Sequence, residues 1–187
     1  MTSTPAGDVV DVLTSDHRDV TALIAEIWSV RDPMVRRDLT DTAISELVRH
    51  AVAEEMYVCP AMRKYLPDGD KSVEHDVEEH KELEETMKRL EDVDVSSTEF
   101  DEALRKLETI LADHVQDEES EQFPELRRRV PREELVEIAG KVETAKKLAP
   151  TRPHPAAPNN ELFHKLVGPG VGLVDRLRDK LTGRATK

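Results

Sequence analysis

The chain has 187 residues, 36% of them charged and only 3% aromatic, with a formal net charge of −13. So few aromatics disfavour a β-sandwich, because strands draw on aromatic and β-branched side chains. So much negative charge opposes a nucleic-acid partner, whose phosphates it would repel. Apolar residues at helical spacing, interleaved with Glu, Lys and Arg, specify an all-α protein instead. The single cysteine, Cys59, rules out an intrachain disulfide. Residues Met1 to Asp8 lack the basic start and apolar run of a secretion signal. No apolar stretch approaches the roughly 20 residues that span a bilayer. A cytoplasmic protein without stable membrane attachment is the expectation.

In chain order, the pattern predicts a first helix from about Asp11 to Val30, with Val20, Leu23, Ile24, Ile27 and Trp28 as its apolar stripe. Asp32 followed by Pro33 reads as an N-cap and first-turn proline. They open a second helix to about Tyr65, with a break near Thr40 as one option. Leu66 to Asp70 is a turn, and the third helix runs from about Ser72 to Leu90, turning Val73, Leu83, Met87 and Leu90 inward. Ser96 with Glu99 reads as a capping box for a fourth helix carrying Leu104, Leu107, Leu111 and Val115 to about Val130. A fifth helix is expected over Arg132–Leu148, behind Pro131. These residues form one domain, 1–148. The segment 149–187 is a separate tail, starting with an extended linker with four prolines between Ala149 and Pro158. The tail ends in a short amphipathic helix with Leu173, Val174, Leu177 and Leu181 on one face, opposite Arg176, Arg178 and Lys180.

An internal repeat carries the functional reading. His17 is followed 33 residues later by His50, and His80 34 residues later by His114. Each second histidine precedes a glutamate by four residues (Glu54, Glu118) and a proline by ten (Pro60, Pro124). The chain is therefore a duplicated helix pair. At about 100° per residue, positions four apart share a helix face. His17, His50 with Glu54, His80, and His114 with Glu118 consequently lie in line with the apolar stripes. Burying such groups unpaired costs several kcal/mol. Four helices aiming them inward at similar depth is how a bundle builds a metal site.

Four imidazoles and two carboxylates overfill one ion. Shared between two ions, with both glutamates bridging, they leave vacant positions where dioxygen, peroxide or nitric oxide would bind. The donors suit iron, with manganese and zinc behind it, and Cys59 lies outside the stripe. Tyr57, three residues beyond Glu54, is either a further ligand or a core tyrosine with its hydroxyl bonded. Asp16, Glu79 and Asp113 each precede a ligand histidine and read as surface charge, since neighbouring helix positions face apart.

The pattern over about Asp11 to Val130 resembles the hemerythrin family, or HHE cation-binding domain. His17, His50 and Glu54, His80, and His114 and Glu118 match its motif. The resemblance implies an antiparallel four-helix bundle, here with an added fifth helix and Pro-rich tail, around an oxo- or hydroxo-bridged pair of iron ions. Oxygen-carrying members have two histidines four apart on the third helix, whereas here Asp76 stands four before His80. His75, five before His80, is expected at the surface. This departure, with an anionic or missing ligand in place of an imidazole, moves the expectation from oxygen carriage towards catalase-like peroxide chemistry, nitric oxide chemistry or sensing. The competing expectations are a metal-binding sensor that meets a protein partner through its terminal helix, and a structural bundle holding zinc or no metal.

Overall fold

The computed structural model describes residues 7–156 and 168–184. The last two residues of the expected linker and the side chain of Leu181 lie outside the described set. Among the described residues the chain is all α-helical, with no strand. The elements are α1 (Val9–Ser29), α2 (Pro33–Tyr65), α3 (Gly69–Asp92) and α4 (Thr98–Asp117). A π-helical turn (Glu118–Gln122) follows, then α5 (Phe123–Arg129), α6 (Arg132–Leu148) and α7 (Gly168–Thr182).

Connections of three to five residues force α1 to α4 to alternate in direction. Each packs on its chain neighbour, and α1 closes against α4. α6 lies outside this bundle, against α1 and α2. Leu13, Ile24, Ile27, Ile44, Leu90, Leu104 and Phe100 fill the core. Cys59 is buried with them.

Caps set the helix ends. α1 starts two residues before the expected Asp11, because Asp8 and Asp11 exchange hydrogen bonds across its first turn in a capping box. The Arg127 guanidinium grips both carboxylates, tying α5 to the start of α1. α2 passes Thr40 without a break, its hydroxyl donating back to the Arg36 carbonyl, and it also runs through Pro60. Gly69 lets α3 begin directly over the Met62 carbonyl, where a Cβ would collide with backbone. The cap of α4 is Ser97 rather than Ser96, with its hydroxyl accepting from the Phe100 amide. The predicted fourth helix also does not run unbroken to Val130. Pro124 has no amide for the Ser120 carbonyl, and the Phe123 amide reaches back five residues to Glu118. This wider turn distinguishes the second half of the duplication from the first, where α2 stays α-helical through Pro60.

The Pro-rich segment is non-helical as far as it is described, but it is not loose. Thr151 and Pro153 are buried. Thr151 donates to Asp179 at 2.5 Å, and Arg152 pairs with Asp179 at 2.7 Å. Arg184 pairs with Glu91. Gly172 allows α7 to touch the end of α6 at the Leu148 and Ala149 carbonyls. α7 thus docks through its Asp175 and Asp179 face, leaving Leu173, Val174 and Leu177 exposed.

A buried imidazole and carboxylate centre

The duplicated helices bring all six expected ligand residues to one place. His17, His50, Glu54, His80, His114 and Glu118 come from α1, α2, α2, α3, α4 and the first residue of the π turn, and none exceeds 4% exposure. The rings of His17 and His50 lie 4.9 Å apart, and those of His80 and His114 5.0 Å apart. Inside this ring of imidazoles, Glu118 stands 3.1 Å from His17 Nε2 and 3.5 Å from His114 Nε2. Glu54 Oε2 stands 3.4 Å from the Nε2 of both His50 and His80, and 4.0 Å from that of His114.

None of these inward atoms makes a hydrogen bond. The Nε2 of each histidine and both oxygens of Glu54 and Glu118 are buried without a partner. Leaving so many buried polar atoms unsatisfied would cost several kcal/mol, so the arrangement calls for something between them. Two sets of ligand atoms each fall within 4.8 Å of one another: His17, His50, His114 and Glu118, and Glu54, His80 and His114. Ligands 2.0–2.2 Å from an ion stand up to about 4.4 Å apart, so atoms already within 4.8 Å of one another need close by only a few tenths of an ångström to hold one. The residues present fit metal ions.

The outward face of each ring is fixed by a carboxylate. His17 Nδ1 meets Glu119 at 2.8 Å, His50 meets Asp16 at 3.4 Å, His80 meets Glu55 at 2.9 Å and His114 meets Glu79 at 2.9 Å. Such contacts set the tautomer, leave Nε2 free to ligate and raise its basicity. The pattern respects the repeat: Asp16 and Glu79 each serve the later histidine of their own half, and Glu55 and Glu119 the first histidine of the other half. Asp16 and Glu79 are therefore not the surface charges their sequence positions suggest. They turn away from the histidine beside them, and for that reason they reach the next helix. Asp113 is exposed. The sequence signal for Glu55 and Glu119 was the doubled glutamate ending both His-x-x-x-Glu-Glu runs.

Burial and charge divide the two inner carboxylates. Burial raises the Glu54 carboxyl, but the imidazoles of His50, His80 and His114 outweigh it and hold it well below the usual carboxylate range. Burial and the Glu54 charge push Glu118 far above that range. His80 is buried, which opposes its charge, yet Glu54 and Glu55 on either side push it well up.

Asp76, which the sequence marks as the departure from the family pattern but not as a ligand, lies beside the centre. It is 1% exposed, and one of its oxygens lies within 4.8 Å of ligand atoms of Glu79 and His114. Gln122, from the π turn, donates to it at 2.8 Å. Burial lifts its carboxyl to about 6. The signal was its place four before His80, on the same face.

Tyr57 is not brought to this centre. It lines a groove between α2 and α6 with Pro60, Lys64, Glu134 and Lys141. A three-residue step from Glu54 turns a side chain about 60° off the stripe, which here points it at α6. His75 is half-exposed, 3.4 Å from Glu79 and 3.3 Å from Asp117.

The family description "Hemerythrin HHE cation binding domain" matches residues 8–126. A protein of Schizosaccharomyces pombe named as an uncharacterized hemerythrin-like protein is 31% identical over 174 residues, covering 92% of this chain and 86% of the relative. A protein of Nostoc sp. named DNA nickase is 29% identical over 139 residues, covering 74% of this chain but 39% of that relative. No solved structure matches the chain.

Proposed function

This chain belongs to the hemerythrin HHE cation-binding family, and from that premise we propose that it is a non-haem di-iron protein that reacts with peroxide, dioxygen or nitric oxide. One observation carries the reading: eight inward nitrogen and oxygen atoms of six buried residues are left unsatisfied at mutual distances suited to metal ligation.

His17, His50 and Glu118 would hold one ion, Glu54 and His80 the other, with His114 within reach of both. Bound iron supplies a redox-active Lewis acid with positions for a small ligand. The chain's own residues do the rest. Glu55, Glu79, Asp16 and Glu119 orient the four imidazoles. Glu54 remains ionised and brings negative charge to both sides. Asp76, where oxygen carriers place an imidazole, would add a further anionic oxygen donor beside Glu54 and Glu118. Anionic donors favour the ferric state, which supports peroxide or nitric oxide chemistry over reversible oxygen carriage. Phe123 stacks on His17 with ring centroids 5.8 Å apart and helps to keep the centre buried.

Iron analysis and an optical spectrum before and after peroxide test this. The expected result is about two iron ions per chain, a visible spectrum that peroxide changes, and dioxygen release. Zinc at full occupancy with no response to peroxide or nitric oxide would leave the structural reading in its place.

A second reading is supported by α7, whose exposed Leu173, Val174 and Leu177 are flanked by exposed Arg178 and Lys180. That face suits an acidic protein surface with an apolar seam, to which the tail would relay the state of the centre. Deleting residues 150–187 should abolish such binding and leave iron content intact. A net charge of −13 opposes a phosphate backbone, which argues against nucleic-acid chemistry of the kind that the Nostoc relative's name describes. No helix among the described residues is long and apolar enough to cross a membrane.

A further inference from the structure

The two halves of the duplication match at the centre but not around it. On α3, α4 and the π-helical turn, His75, Asp76, Asp117 and Gln122 are polar; the matching positions of the first half are Val12, Leu13, Ala53 and Val58. On the first-half side, Asp16 is engaged by Lys146 of α6 at 2.5 Å, so a cation already sits against the carboxylate behind His50. On the second-half side, α6 does not pack, and the carboxylate behind His114 faces His75 and Asp117 instead. That carboxylate, Glu79, is held below the usual range: burial raises it, but His114 and then His75 outweigh the effect.

Three groups of donor atoms follow one another inward from this face. His75, Glu79 and Asp117 form the outermost, half-exposed at His75 and Asp117; Asp76, Glu79 and His114 the next; Glu54, His80 and His114 the last. In each, the donor atoms lie within 4.8 Å of one another. Adjacent groups share a residue, first Glu79 and then His114, whose Nδ1 faces Glu79 and whose Nε2 faces Glu54. The innermost group ends on buried atoms with no partner, Glu54 Oε1 and Oε2, His80 Nε2 and His114 Nε2, which is where an ion would stop.

We propose that His75, Glu79 and Asp117 form an outer divalent-cation site that captures metal from solvent and passes it by way of Asp76 to the buried centre. The proposal rests on the metal-binding reading above. A bare ion crossing the apolar helix packing would lose its hydration with nothing in return; this sequence of carboxylates and imidazoles replaces water oxygens step by step. Glu79 has to release His114 and Asp76 has to release Gln122 during passage, and both restore those bonds afterwards.

The test is uptake of Co(II) by the metal-free full-length protein, followed by stopped-flow absorption. In the H75Q/D117N double variant the rate is expected to fall about tenfold, the scale on which local charge accelerates capture. Final cobalt content and the spectrum at saturation should equal those of the unmodified chain. The control is E78Q, which removes the same net charge from an exposed position of α3, and it should load at the original rate. Loading of H75Q/D117N at the original rate would overturn the outer site while sparing the centre. Equal slowing in E78Q would overturn it too, by showing that net charge alone sets the rate. If the unmodified chain takes up no cobalt, the metal-binding reading and the loading path fall together.

Discussion

Gln122 donates a 2.8 Å hydrogen bond to Asp76, joining the π-helical turn to α3 across the buried edge of the centre. The bond satisfies one oxygen of a carboxylate that its surroundings would rather keep neutral. Burial and the nearby Glu54 charge lift Asp76 from 3.8 to about 6. The folded chain therefore holds a proton that the unfolded chain has released between about pH 4 and 6. Stability contributed by this group falls as pH rises through that window. For the metal-free protein, Asp76→Asn should raise stability at pH 7 by roughly 2 kcal/mol, and the melting temperature by several degrees. Thermal melts at pH 4 and pH 7 check this, and an equal effect at both would refute it.

His114 belongs to both groups of inner ligand atoms, whereas His17 belongs to one. His114→Ala should therefore leave less than one metal ion per chain, and His17→Ala should retain more than His114→Ala does. Elemental analysis of the purified variants decides the order. Equal losses would mean that the two groups are not separate sites.

Glu55 fixes His80 from a fully buried position, and Glu119 fixes His17 from a partly exposed one. Removing a carboxylate that orients a metal-bound imidazole commonly weakens metal binding 10–100-fold. Glu55→Gln should fall within that range, with Glu119→Gln nearer its lower end because water can replace the lost acceptor. Competition with a chelator of known affinity measures both. No change for Glu55→Gln would mean that it holds the ring only in the metal-free state.

In the tail, His154 Nε2 lies 2.9 Å from Asp175, which raises the imidazole above its ordinary 6.5. A raised histidine stabilises the docked state fully below pH 6.5 and ceases to do so as pH climbs past its folded value. Hydrogen exchange over α7, corrected for the intrinsic pH dependence, should be slower at pH 6 than at pH 8. His154→Ala should remove that difference. Identical protection at both pH values in the unmodified chain would contradict the contact.

Much of this molecule was legible in the sequence, and the reasons are physical. Helices alternate a buried and a wet face, so His50 and Glu54 declared their direction through Leu47 and Ala43 on the same stripe. The repeat doubled each signal. What stayed hidden depended on neighbouring helices. Asp16 and Glu79 could be placed on a helix, but only the packing of α1 on α2 and of α3 on α4 shows which imidazole each one meets. The π turn was equally hidden: Pro60 and Pro124 occupy matching positions, yet α2 continues through the first while the helix after His114 widens into a π turn before the second. Tyr57 was misdirected by a 60° step that sequence spacing treats as the same face.

Cys59 sits 2% exposed on α2, one turn past Glu55. Burial, reinforced by the charges of Glu54 and Glu55, pushes its thiol well above the ordinary range, so the sulfur remains protonated and unreactive at neutral pH while the helices stay together. A thiol-specific dye added to the native protein should therefore mark only molecules caught in the act of opening. The slow growth of that label records how often the bundle breathes, and how far a bound ion quietens it.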